Sequence, residues 1–162
     1  MKEINEQQAL QKLTALCSRS EHCSWEMTEK MRQWGISPEA QARIMQILTE
    51  ERFVDDTRYC RAFVKDKIRY NRWGRRKVEQ GLFAKRIDSS TARKILDEVD
   101  DEEYLNALRP LLKDKRRQLR NMNSYEANGR LIRFAMSRGF TMDIIRQCID
   151  TDEDYDSGND YD

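Results

Sequence analysis

The chain has 162 residues, 38% of them hydrophobic and 36% charged, with two prolines and six glycines. So few breakers argue against a turn-rich β fold and for long helices, and so polar a composition suits an elongated molecule with a thin core. The formal net charge of +1 conceals an asymmetry. Seven of the 29 acidic residues lie between Asp150 and Asp162, which leaves 30 basic residues against 22 acidic ones, about +8, in the first 149 residues. A basic body points to a polyanionic partner, and an acidic end of this kind reads as a disordered, solvated appendage.

Apolar residues recur at helical spacing along the chain. Leu10, Leu13, Leu16 and Cys17 predict a helix over about 5–19. After a polar break, Met27, Met31 and Trp34 predict a second, over about 24–34, closed by Gly35. Ser37 as N-cap and Pro38 at the first helical position open a third, with Ile44, Met45, Ile47 and Leu48 inward. The order then returns. A helix over about 57–70 has Tyr59, Ala62, Phe63 and Ile68 inward, the next carries Val78, Leu82 and Phe83, and a short one begins at Asp88, Ser89 or Ser90 and buries Ala92, Ile95, Leu96 and Val99. A third round runs over about 101–120, 125–138 and 142–149.

The repeat survives a test by offset. A shift of 51 places Met27 on Val78, Met31 on Leu82, Ile36 on Ile87, Ile44 on Ile95, Met45 on Leu96 and Leu48 on Val99. A further 53 places Val78 on Leu131, Leu82 on Ala135, Ile87 on Phe140 and Leu96 on Ile149. Glycine precedes the apolar residue in Gly35-Ile36 and Gly139-Phe140, but the middle repeat has Arg86-Ile87. The fold expected is therefore all-α: three tandem three-helix repeats (1–50, 51–99 and 100–149) stacked into an elongated curved rod, followed by an acidic disordered tail over 150–162.

Two stretches are candidates for function. The run Phe53-Val54-Asp55-Asp56 precedes a helix, where a carboxylate accepts from free backbone N–H groups and an apolar neighbour staples the first turn. These four residues therefore read as structural, since no histidine or further carboxylate cluster accompanies the aspartates. The stretch 65–86 holds Lys65, Lys67, Arg69, Arg72, Arg75, Arg76, Lys77, Lys85 and Arg86 against Asp66 and Glu79, with Tyr70 and Trp73 among them. Cations with interleaved aromatics can track a phosphate backbone and stack on bases, although Tyr70 and Trp73 also fit a helix-to-helix corner. A second basic cluster contains Lys115, Arg116 and Arg120.

Catalysis has little to draw on. There is one histidine, no glycine-rich phosphate loop and no nucleophile paired with a base. Cys17, His22 and Cys23 are three ligand types at irregular spacing where zinc takes four, so no metal and no cofactor is expected. The N-terminal residues lack the apolar core of a secretion signal and no apolar run approaches 18 residues, which makes the cytoplasm the expected location and a membrane partner unexpected.

The run Phe53-Val54-Asp55-Asp56-Thr57-Arg58-Tyr59, the basic helix behind it, Gly74, the Val78/Leu82 helix and Ile87 together resemble the RecX family, over about residues 8–149. The resemblance implies a non-enzymatic regulator that binds the RecA recombinase. Such proteins lie in the helical groove of the RecA–single-stranded DNA filament, block its extension, and suppress ATP hydrolysis and strand exchange. On this reading the basic residues named above face DNA or the filament. The alternative from the residues alone is a helical module that binds DNA directly, without RecA.

Overall fold

The computed structural model describes residues 3–157, with side chains as far as Ile149. Among the described residues the regular structure is nine helices: α1 (Glu6–Arg19), α2 (Ser24–Gln33), α3 (Pro38–Glu50), α4 (Asp56–Arg69), α5 (Arg75–Ala84), α6 (Ser89–Asp97), α7 (Asp101–Gln118), α8 (Ser124–Ser137) and α9 (Met142–Ser157). The backbone of α9 continues past the end expected at 149. The acidic side chains from Asp150 onward lie outside the described residues, and with them the expectation of a disordered tail.

Short polar side chains start several helices, at Ser37 and Asp88 as the sequence predicts and also at Asn5 and Asn123. Asn5 accepts from the Gln8 backbone N–H and Gln8 answers to the Asn5 N–H, a reciprocal capping box on α1. Ser37 accepts from Ala40 at 3.2 Å, Asp88 from Thr91 at 3.2 Å, and Asn123 from Glu126 at 2.8 Å. Helix ends repeat as faithfully. Ile36 N–H donates to Met31, Ile87 to Leu82 and Phe140 to Ala135, at 3.0, 3.1 and 3.2 Å. In each case the preceding residue is left-handed: Gly35 at φ 73°, Arg86 at φ 58° and Gly139 at φ 90°. This is the six-to-one closure of a helix C-terminus, and it recurs once per repeat. The middle repeat therefore keeps the geometry although it lacks the glycine.

The chain divides into two compact units. The first runs to Phe63 and takes in Leu82–Ala92; the second comprises Val64–Gly81 and the chain from Arg93 onward. Helices α4 and α5 thus contribute residues to both. In the first unit Ala9 and Leu13 of α1, Met27 and Met31 of α2, and Ala40, Ile44 and Leu48 of α3 form one buried cluster closed by Val54. In the second, α7, α8 and α9 pack on one another around Leu105, Leu108, Leu112, Leu131, Ala135 and Ile145.

The apolar positions matched by offset are buried, apart from Met45 and Val99, which are half-buried. Two inward assignments need correction. Phe83 is 81% exposed and Ile47 is 40% exposed. Each adjoins a fully enclosed residue, Leu82 or Leu48, and the next position around a helix lies about 100° away, off the buried stripe. On α4 the interior is Tyr59, Cys60, Val64 and Ile68 rather than Ala62 and Phe63, which are half-buried.

Candidate interaction surface

The aspartates of the Phe53–Asp56 run divide their work. Asp55 Oδ1 accepts from Arg58 N–H at 3.0 Å and so caps α4. Asp56 Oδ1 accepts from the Ser24 N–H at 2.7 Å, which places its charge at the start of α2 instead. Val54 is enclosed in the core of the first unit and Phe53 packs against that core. The motif is thus a clamp between two helix N-termini.

A second cluster anchors the same end of α2. Glu26 accepts from the Cys23 N–H at 3.1 Å and from Lys85 Nζ at 3.4 Å. Burial alone would raise this carboxyl, but the Cys23 N–H, Lys85 and His22 together hold it below the usual range. Cys23 donates to the Lys85 carbonyl at 3.6 Å, Cys17 to Met27 Sδ at 3.8 Å, and His22 Nε2 lies 3.1 Å from Ser20 Oγ. Cys17, His22 and Cys23 are each turned to other partners, and among the described residues no group of three or more ligand side chains is placed to hold a metal. Burial pushes the Cys23 and Cys60 thiols up to about 11, so they are protonated and poor nucleophiles at neutral pH.

The cations of the basic stretch are divided between the two units. Lys85 and Arg86 belong to the first unit, Lys65–Lys77 to the second. Several of its cations are engaged within the fold. Arg75 pairs with Asp97 at 2.5 Å and Arg69 with Glu103 at 3.4 Å. Lys67 and Lys77 place their ammonium groups 5.0 and 4.9 Å from the centre of the Trp73 ring. Those cations compete with any base for the half-buried indole, so Trp73 serves the corner between helices. Lys85, besides its pairing with Glu26, lies 5.6 Å from the Trp25 ring, and Lys115 lies 5.4 Å from that of Phe134. Arg116 is half-buried and engaged, and Arg120 is exposed, with Nε 3.4 Å from the Arg117 carbonyl.

Arg72 has a role no motif announced. Its Nη1 donates to the carbonyls of Asn106 and Ala107 in α7, at 3.5 and 3.2 Å. Four residues beyond Asn106 stands Pro110, inside the helix and without an N–H. The Asn106 carbonyl therefore lacks its intrahelical donor, and the proline ring crowds it as well. The guanidinium of Arg72 supplies the missing bond from outside. The signal was present in the sequence as a proline in a helical pattern, but nothing along the chain says which side chain would answer it.

Close to Arg72 in sequence, Gly74 N–H donates to the Arg138 carbonyl at 2.8 Å, and Arg76 N–H to the Gly139 carbonyl at 3.0 Å. The turn before α5 and the turn between α8 and α9 are thus joined backbone to backbone. A Cβ at Gly74 would lie 2.2 Å from the Phe140 nitrogen, and one at Gly139 2.5 Å from the Lys77 nitrogen. Glycine is needed at both for this approach.

What remains on the surface is a smaller set. Lys65, Arg76 and Arg86 are exposed and have no ion pair among the described residues. Three aromatics are also uncovered: Tyr70 at 79%, Phe83 at 81% and Tyr125 at 89%. The notable one among the cations is Arg86. A left-handed backbone costs a non-glycine residue about 1 kcal/mol, and the equivalent positions in the other repeats hold glycine. No helix among the described residues is long and apolar enough to cross a membrane.

The family model of the second three-helix domain of RecX matches residues 55–96, and that of the third three-helix domain matches residues 101–149. Regulatory protein RecX of Lactobacillus johnsonii is 26% identical over 142 residues, 88% of this chain and 52% of that protein. Regulatory protein RecX of Clostridium botulinum (strain Alaska E43) is 32% identical over 127 residues, 76% of this chain and 58% of that protein. The chain thus spans about half the length of these curated relatives. The crystal structure of RecX from Lactobacillus salivarius superposes with a TM-score of 0.83 at 17% identity, covering 90% of this chain and 95% of that one. A second crystal structure, of a regulatory protein RecX, gives 0.81 at 18% identity over 90% and 73%. At these identities the structural likeness establishes the fold.

Proposed function

The chain belongs to the RecX family, and on that premise we propose that it is a regulatory protein that binds the RecA recombinase assembled on single-stranded DNA and restrains it. It acts as a binding protein, without chemistry of its own, in the cytoplasm where that filament forms. Binding to the filament opposes its extension and lowers its ATP hydrolysis and strand exchange.

The observation that carries this reading, beside the family, is the arginine at position 86, exposed and left-handed where the other two repeats close with glycine. Helix closure at this point is made with glycine in the other two repeats and is strained with arginine. A left-handed residue whose side chain is exposed and has no ion pair among the described residues points to a use for that side chain. The charge is exposed, on a chain whose first 149 residues carry an excess of about eight positive charges. We assign Arg86, with Lys65 and Arg76, to contact with phosphate or with acidic filament surface. Arg72 is reassigned to the fold, because its guanidinium is spent on α7.

The test is ATP hydrolysis by the cognate RecA on single-stranded DNA, with this protein titrated well below RecA. Inhibition at such ratios is expected, and an absence of effect at equal amounts refutes the proposal. One observation favours a second reading, direct binding to DNA without RecA: the exposed rings of Tyr70, Phe83 and Tyr125 are available for stacking. That reading requires binding to naked single strands with an affinity that falls steeply as salt rises.

A further inference from the structure

The second unit contains a cavity of about 220 Å³ among the starts of α5, α7 and α9, far above the roughly 15 Å³ that one water needs. Its polar lining is Arg75, Asp101, Tyr104, Thr141 and Asp143, and Val99, Phe140 and Ile144 form apolar walls. Tyr104 is 4% exposed, yet its buried hydroxyl has no hydrogen-bond partner among the described residues. Burial pushes this hydroxyl up to about 12, Arg75 pulls it down, and Asp101, Asp97 and Glu79 push it up. The hydroxyl thus sits within the field of the charges that line the cavity. A buried hydroxyl left without a partner is costly and marks a place where a hydrogen-bonding group is wanted.

Charge decides what that group is. Arg75 is neutralised by Asp97 at 2.5 Å. Asp101 and Asp143 are exposed at the mouth and have no ion pair among the described residues. The N-termini of α5, α7 and α9 contribute about +0.5 each, which leaves about half a negative charge uncompensated beside the two carboxylates. An anion is disfavoured there. A cation with an aliphatic stem suits the site: the stem lies along Val99 and Ile144, the charged head meets the two carboxylates, and the Tyr104 oxygen accepts one of its N–H groups. We infer that this cavity is a socket for a single arginine side chain presented by a protein partner. A guanidinium is preferred to an ammonium because its fork of donors reaches two carboxylates and a hydroxyl together. This inference does not depend on the identity of the partner proposed above.

The probe is agmatine, which is an arginine side chain bearing an amine, titrated into the 162-residue chain and followed by amide chemical shifts in NMR. Saturable shifts confined to the amides around Asp101, Tyr104, Thr141 and Ile144 are expected, with a dissociation constant on the order of millimolar for so small a fragment. The double substitution Asp101→Asn with Asp143→Asn should weaken binding by roughly tenfold, and Tyr104→Phe by roughly fivefold, the effect of losing one hydrogen bond. Putrescine should bind more weakly than agmatine, and inorganic phosphate should not shift these amides. Unchanged thermal melting of the variants shows that they are folded. Phosphate binding at the same amides, agmatine shifts that the aspartate variants leave unaltered, or no localised shift at all would each overturn the assignment, the last showing a cavity that holds only solvent.

Discussion

Removing the Arg72 side chain should destabilise the second unit by an amount that depends on whether residue 110 is proline. With Pro110 in place, the Asn106 carbonyl has no donor within α7, and Arg72 Nη1 serves it and Ala107 at 3.5 and 3.2 Å. Arg72→Ala keeps the Cβ at φ 53°, so backbone strain is unchanged and the loss is that of the guanidinium. The Asn106 carbonyl is exposed and the Ala107 contact part-buried, so stripping their shared donor costs about 1–1.5 kcal/mol, near the low end for an unsatisfied group. Pro110→Ala restores an N–H to the helix and should itself stabilise the protein. In that background the Asn106 carbonyl is already satisfied, and Arg72→Ala should cost about 1 kcal/mol less than in the wild type. Urea unfolding of the wild type, both single variants and the double variant closes the cycle, provided that the slope with urea is unchanged. Additivity to within about 0.4 kcal/mol would refute the idea that Arg72 answers the proline, and would return Arg72 to the list of surface cations.

Three further outcomes follow from the geometry. Arg86→Gly should raise stability by about 1 kcal/mol, by relieving a left-handed arginine, while weakening inhibition of RecA ATP hydrolysis; a loss of both stability and inhibition would show that the side chain supports the fold. Gly74→Ala should cost more than about 3 kcal/mol in urea unfolding, because the added Cβ meets the Phe140 backbone rather than a side chain that can move; a near-neutral result would show that the two turns are not in contact. Glu26 is held below its usual pKa of 4.5 in the folded protein, so its contribution is present above that value and is lost as pH falls through the folded one. Glu26→Gln should therefore lower the melting temperature at pH 7, and the difference from wild type should shrink under acid; a difference constant down to pH 2 would contradict the linkage.

Much of the architecture was readable along the chain, because helices of this kind are specified locally. Caps at Ser37 and Asp88 act within three residues of themselves, and the apolar stripe recurs with the helical period. The offsets that aligned Met27, Val78 and Leu131 succeeded because equivalent positions in successive repeats are buried in equivalent ways. The failures are equally physical. Composition and spacing cannot distinguish Leu82, fully buried, from its neighbour Phe83, which is exposed, since both are large and apolar and only the packing partners decide which faces inward. Charge was misleading for a related reason: nine cations in one stretch look alike in sequence, yet Arg75 pairs with Asp97, Lys67 and Lys77 approach Trp73, and Arg72 reaches into α7. Each of those assignments depends on residues distant in sequence and brought near only by packing. The sequence by itself determined the helices, their caps, their repetition and the family. Tertiary structure alone decided that Asp56 serves a helix 32 residues away, that Arg72 completes a proline-broken one, and that Arg86 remains exposed in a strained position, because those outcomes rest on contacts between segments that no local pattern encodes.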